Sequence, residues 1–274
     1  MSAFGDEIAD DLGTQLDVLA GAGVAFLEFR GAWGKNVLDL GDDELARARA
    51  LLDARAFGVS AVASPIGKSP LDLPRSFELE RLERAIAAAD LFGTRLIRIF
   101  SFYVPSGGRR PEARTEVLER LRLLAARAAQ RNVTLVHENE KGIYGDTSER
   151  CLDLLAAIDS PALRAAFDPA NFVQVGVHPM EAWQVLAGHT IHMHIKDARF
   201  ADGSVVPPGQ GDGEIAALLA ALASANYQGF LTLEPHLHFA GPAGGYSGPE
   251  GMRVAIRSLR ALLDTVLSPT AEGD

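Results

Sequence analysis

The sequence predicts a (β/α)8 barrel, the TIM barrel, on three observations. Apolar runs of strand length alternate with segments of helical period along the whole chain. No two of those runs lie close enough to form a hairpin, so the strands read as parallel. The length of 274 residues is close to the roughly 250 typical of one such barrel.

In chain order, a first strand is expected near Ala3 to Ile8. A helix from Asp10 to Ala22 carries Leu12, Leu16, Leu19 and Ala20 at helical spacing and stops at Gly21 and Gly23, after which Val24 to Arg30 reads as a strand. The unit recurs. Asp42 to Phe57 has an acidic first turn and the helical period, Gly58 stops it, and Val59 to Ala63 follows as a strand. Phe77 to Phe92, Gly93 and Arg95 to Phe100 repeat the pattern, as do Glu112 to Arg131 and Val133 to Glu138. Helices are expected over Thr147 to Ile158, Pro179 to Leu186, Glu214 to Ala225 and Gly248 to Leu267, with strand runs at Arg164, Ile191 and Phe230, making eight of each. A doubly wound open sheet is the rival, but no G-x-G-x-x-G or Walker sequence follows the first strand.

The chain is 47% hydrophobic and 23% charged, with no compositional break or long linker, so a single domain over 1–274 is expected. The N-terminus lacks the layout of a secretory signal and no apolar run approaches the ~20 residues of a membrane span, which points to a cytoplasmic protein. Cys151 is alone, which excludes a disulfide framework and a thiolate zinc site. A net charge of -10 without a basic stripe argues against nucleic acid and membrane partners and leaves a small-molecule substrate.

Four ligand-type side chains end four of the apolar runs: Glu138, Asp168, His194 and Glu234. In a parallel barrel those tips converge on the end where barrel enzymes keep their chemistry. Three buried carboxylates there are costly unless a cation meets them, and a carboxylate-rich set with one imidazole suits a divalent metal ion such as Mn2+, Mg2+ or Co2+, with Zn2+ tolerated. The competing reading is ion pairing with Lys141, Lys196, Arg98 or Arg30, which also end strands. Glu140 shares the parity of Glu138 and competes for its role.

Only four of the 26 basic residues are lysines, Lys35, Lys68, Lys141 and Lys196, and each is expected just beyond a strand's C-terminal end. The other tip residues outline a pocket. Trp33 and Phe102 would form an aromatic wall, and Arg30, Lys68, Lys141, Lys196 and Arg199 would meet hydroxyls, a carboxylate or a phosphate. His236 and His238 would be hydrogen-bonding partners near Glu234. Glu28, Arg30 and Glu7 are expected as a buried Glu-Arg group.

Glu138-Asn139, Asp168-Pro-Ala-Asn171, His192-Met-His194-Ile-Lys196-Asp197, Pro208-Gly-Gln-Gly211-Asp212 and Glu234-Pro-His236 together resemble the successive motifs of the xylose-isomerase-like barrel superfamily. Its members include ketose 3-epimerases, inosose dehydratases and apurinic endonucleases. The resemblance implies metal binding by Glu138, Asp168, His194 and Glu234, with Glu138 and Glu234 also moving protons. It implies an isomerase or epimerase acting on a ketose or related polyol carbonyl compound through proton abstraction and a metal-bound enediolate. A lyase of the inosose dehydratase type, or a sugar-binding barrel without catalysis, is the alternative. The resemblance implies a substrate contact at Asn171, where epimerases commonly carry His; Asn can hydrogen-bond a hydroxyl but cannot shuttle a proton, which weakens that assignment, and the absence of further histidines near strands 3 and 4 argues against the endonuclease. The glycine-rich stretch from Phe239 to Gly248 suits a lid or a contact in a homo-oligomer.

Overall fold

A computed structural model describes residues 1–104, 110–237 and 246–268. Eight parallel strands close a barrel: β1 (Ser2–Phe4), β2 (Phe26–Phe29), β3 (Gly58–Ala63), β4 (Leu96–Ile99), β5 (Thr134–Glu138), β6 (Leu163–Phe167), β7 (Thr190–Ile195) and β8 (Phe230–Leu233). Each strand pairs with its sequence neighbours, and β1 returns to β8 through Ser2 opposite Thr232 and Ala3 opposite Leu233. That last pairing rules out the open sheet.

The outer helices are α1 (Leu12–Gly21), α2 (Asp42–Ala54), α3 (Arg75–Phe92), α4 (Arg110–Gln130), α5 (Ser148–Ile158), α6 (Pro179–Leu186), α7 (Ile215–Ser224) and α8 (Gly248–Leu267). Local chemistry sets their ends. Asp11 caps α1 by accepting from Thr14 N at 2.9 Å. Gly93 ends α3 with φ 73°, the left-handed conformation that glycine adopts without strain. Met252, Ala255, Ile256 and Leu259 of α8 recur at helical spacing and are buried against the barrel.

The lumen differs from the branched apolar filling usual for this fold. Ser2 Oγ and Ser60 Oγ meet across it at 2.7 Å, and above them Glu28 reaches His192 and His194 from the facing wall. Phe4 packs edge-on against His194, with ring centroids 5.2 Å apart. Polar residues thus occupy the lumen up to the C-terminal ends of the strands.

The first strand is shorter than expected. It ends at Phe4, and Gly5–Glu7 form a 3-10 turn. A Cβ on Gly5 would fall 2.4 Å from Gln15 Oε1 and 2.7 Å from Leu27 Cδ1, so any larger residue there would displace those two buried side chains. Three small elements lie beyond strand tips without having been expected: a ribbon of Gly31–Ala32 with Lys35–Asn36, a one-turn helix at Pro169–Val173, and a ribbon of Asp197–Ala198 with Val205–Val206. His238 and most of the glycine-rich stretch lie outside the described residues.

Candidate metal centre and substrate pocket

Side-chain alternation brings the four expected ligands together. Glu138 ends β5, Asp168 follows β6, His194 lies on the inward face of β7 with His192, and Glu234 follows β8. One donor atom from each lies within 4.8 Å of the others, and all four residues are buried. Glu140 is not in this group; it pairs with Lys68 Nζ at 3.0 Å.

Asp168 shows how local sequence aims a ligand. With Pro169 at the first position, it caps the one-turn helix, and its Oδ1 accepts from Asn171 N at 2.8 Å. Asn139 clamps the same residue by donating to Asp168 O and accepting from Asp168 N, both at 2.9 Å. Oδ2 is left facing the other ligands. Asn171 donates to Glu138 Oε1 at 3.2 Å and Asn139 O at 2.9 Å, so its amide hydrogens are committed to positioning the site.

The ion pairs anticipated as a competing reading are present in part. Arg98 Nη1 lies 3.2 Å from Glu138 Oε2, Lys196 Nζ lies 3.0 Å from Asp168 Oδ2 and 3.4 Å from Glu234 Oε2, and Arg30 Nη1 donates to Glu234 Oε1 at 2.5 Å. These contacts leave the cluster short of hydrogen bonds. Glu138 Oε2, Asp168 Oδ2 and His194 Nδ1 are fully buried atoms without a hydrogen bond, although each lies within 3.0–3.3 Å of an oppositely charged partner, His194 Nδ1 facing Glu138 Oε1. Two carboxylate oxygens and an imidazole nitrogen converging on one spot fit a divalent cation, which would ligate them together.

Charge is strongly coupled here. Burial opposes ionisation of Glu138, but His194 and Arg98 outweigh it and hold the carboxyl down at about 2. Burial pushes Asp168 up to about 6 against the pull of Lys196, with Glu138 and Glu234 adding to the rise. Burial also disfavours the Lys196 ammonium, yet Asp168 and Glu234 more than compensate and raise its pKa above the usual lysine value.

The unexpected member of the site is Glu28. Instead of the expected pairing with Arg30, it accepts from His192 Nε2 at 2.6 Å and faces His194 Nε2 at 3.3 Å, with no exposed surface. A carboxylate on the far nitrogen fixes a ligating imidazole's orientation and leaves Nδ1 for the ion. Arg30 instead binds Asp6 through Nε at 2.7 Å and Glu7 through Nη2 at 2.9 Å. The shared inward parity of His192 and His194 was the available signal for a lumen partner.

An inner pocket of about 200 Å³ opens above the cluster, with Lys68, Arg98, Glu138, Lys196, Glu234 and His236 in its walls. Other expected contacts lie elsewhere. Trp33, half-buried at the Ala32–Lys35 turn, packs against the hydrophobic core with the Arg47 guanidinium 4.5 Å from its ring centre, and is not in this pocket's walls. Phe102 is fully buried core. Lys141 reaches Gln174 Oε1 at 3.3 Å on the surface, and Arg199 is exposed at the start of a turn; neither lines this pocket.

A family model described as xylose isomerase-like TIM barrel matches residues 16–262. A 3-dehydroshikimate dehydratase from Bacillus anthracis is 28% identical over 134 residues, 48% of each chain. An inosose dehydratase from Clostridium perfringens is 25% identical over 133 residues, 42% of this chain and 45% of the relative. The matches thus span just under half of these relatives. Among solved structures, one described as IOLI protein with a binding zinc atom superposes with a TM-score of 0.80 at 16% identity, covering 98% of this chain and 99% of that one. No described helix is long and apolar enough to cross a membrane.

Proposed function

This chain belongs to the xylose isomerase-like TIM barrel family, and from that premise we propose that it is a divalent-metal-dependent enzyme that removes a proton beside the carbonyl of a ketose or related polyol carbonyl compound. The convergence of buried Glu138, Asp168 and His194 ligand atoms, none of them hydrogen-bonded, with Glu234 carries this reading. These four residues would hold the ion. When bound, it supplies Lewis acidity that polarises the carbonyl and acidifies the neighbouring C–H.

The resemblance in sequence put isomerisation or epimerisation first, whereas the surroundings of Lys196 favour elimination. Glu234 takes the α-proton and the C–H electron pair forms the enolic double bond; the enolate then re-forms the carbonyl, its carbon–carbon pair makes the α,β double bond, and the β C–O bond breaks with its electrons going to the hydroxyl that Lys196 protonates. The products are an enone and water. Proton uptake by Glu234 neutralises a carboxylate 3.4 Å from Lys196 Nζ, weakening the field that holds the ammonium proton at the moment it must leave. The same short contact returns the proton from Glu234 to Lys196 afterwards. Epimerisation is the second reading, supported by the presence of a second carboxylate, Glu138, on a non-adjacent strand.

The test incubates protein loaded with Mn2+, Co2+, Mg2+ or Zn2+ with ketoses and inososes in deuterated water. Elimination gives ultraviolet absorbance from the enone, and Lys196→Gln then loses product formation while still exchanging the α-proton. Exchange with inversion and no enone supports epimerisation instead. Neither exchange nor product with any ion and carbonyl compound contradicts both.

A further inference from the structure

A second cleft, of about 370 Å³, adjoins the inner pocket and shares Arg30, Asn36 and Tyr246 with it. It runs away from the metal cluster between Asp6 on the 3-10 turn, Asp10, and the ribbon from Gly31 to Asn36. Nothing in the chemistry proposed above uses it.

Its walls are built to keep their shape. Trp33 and Gly34 at the ribbon's turn have φ of 54° and 72°, the tight left-handed pair that hairpins favour. Trp33 N donates to Asp10 O at 2.5 Å, tying the ribbon to the opposite wall. A Cβ on Gly31 would lie 2.5 Å from Lys35 O, so the two strands of the ribbon touch. Arg30 is fixed by Asp6, Glu7 and Glu234, with its guanidinium 4.6 Å from the Phe4 ring centre and 5.0 Å from that of Tyr246. Tyr246 is half exposed and stacks on His236, with centroids 4.9 Å apart.

The polar groups define what fits. Arg30 is committed to three carboxylates, and Lys35 donates to Glu44 at 2.8 and 3.0 Å, so neither cation of the cleft is free. Two carboxylates, Asp6 and Asp10, line it. A phosphate would meet repulsion without a counter-charge. Hydroxyls would not: Asp6 Oδ1 is a buried acceptor without a hydrogen bond, and Asn36, whose Oδ1 accepts from Leu38 N at 3.0 Å, has its amide hydrogens available. An exposed tyrosine beside donors and acceptors of this kind suits a sugar's mixed C–H and O–H surface. Size agrees. The inner pocket is smaller than the roughly 300–1,000 Å³ of small-ligand sites, and the outer cleft falls within that range.

We propose that the outer cleft binds an uncharged polyhydroxylated group, of the size of a second sugar ring, attached to the ring whose carbonyl enters the inner pocket. The substrate is then an unphosphorylated glycoside-type compound. The reacting end rests on the function proposed above; the subsite itself is a matter of binding and is tested separately.

Calorimetry on the metal-loaded protein compares glucose, glucose 6-phosphate and a panel of maltose, cellobiose and sucrose, with Asn36→Leu and Tyr246→Ala alongside. At least one disaccharide binds tenfold or more tighter than glucose, glucose 6-phosphate binds no tighter than glucose, and each variant brings the disaccharide back to the glucose level. Glucose 6-phosphate as the tightest ligand, or no disaccharide exceeding glucose, overturns the proposal. The wild-type comparison needs no variant to fold. Disaccharide preference without turnover of any carbonyl compound supports the subsite and contradicts the proposed reaction; turnover without that preference does the reverse.

Discussion

Glu28 contributes no surface to either pocket, yet it holds both inward imidazoles of β7. Glu28→Gln removes the charge that orients His194, and metal affinity falls about 10- to 100-fold, read by competition with a chelating dye. The strand tips put the four ligand candidates within reach of the sequence, although Glu140 shares the parity of Glu138 and only the Glu138-Asn139 motif favoured the latter. Glu28 was not legible, because its partners lie 164 and 166 residues away and only barrel closure brings them across the lumen. Trp33 is hard to place for a related reason: the turn's handedness, with φ 54° at Trp33 itself, decides where its side chain points, and composition does not report that. His137, beside Glu138, carries a pH prediction. Burial lowers its pKa to about 4 against the opposing pull of Glu138, and neither ring nitrogen has a hydrogen bond. The unfolded chain therefore takes up this proton first. The contribution of His137 to stability is intact above pH ~7, falls by about 3 kcal/mol as pH drops from ~6.5 to ~4, and levels off below. Subtracting the stability profile of His137→Gln from wild type isolates that slope; a flat difference contradicts it.

At the scale of elements, α6 and α8 occupy their expected spans, and α1 and α7 end one or two residues inside theirs at identifiable caps. Period and glycine stops suffice for long helices because their burial repeats every turn. The one-turn helix at Pro169–Val173 is too short for a period, although Asp-Pro is its starting signal. The loop after β7 shows what else the motifs encode. Buried Asp197 accepts from Gly209 N at 2.8 Å, Gly211 N at 3.0 Å and Gly213 N at 2.8 Å. A Cβ on Gly211 or Gly213 would lie within 2.6 Å of Asp197 Oδ1. The glycines of Pro-Gly-Gln-Gly-Asp-Gly thus let the backbone wrap a carboxylate next to Lys196. Asp197→Ala strips three donors of their acceptor and costs on the order of 3 kcal/mol in chemical denaturation, with Lys196 losing its fixed position.

Across the whole molecule, the barrel gathers polar residues from five of its strands into the lumen, with Ser2, Glu28, Ser60, Arg98 and His192 all buried. Such a core stores unsatisfied charge near one end, and a bound ion links that charge to folding. Adding Mn2+ to 100 times its Kd therefore stabilises the fold by about 2.7 kcal/mol, seen as a rise in melting temperature that Glu138→Gln with Glu234→Gln abolishes. The central claim is that Glu138, Asp168, His194 and Glu234 form one metal site, and metal content tests it most directly. Plasma mass spectrometry on protein purified without an affinity tag and incubated with Mn2+, Co2+, Mg2+ or Zn2+ should find close to one equivalent of an ion in wild type and almost none in the double variant. No ion retained by wild type, or equal retention by both proteins, would contradict the account.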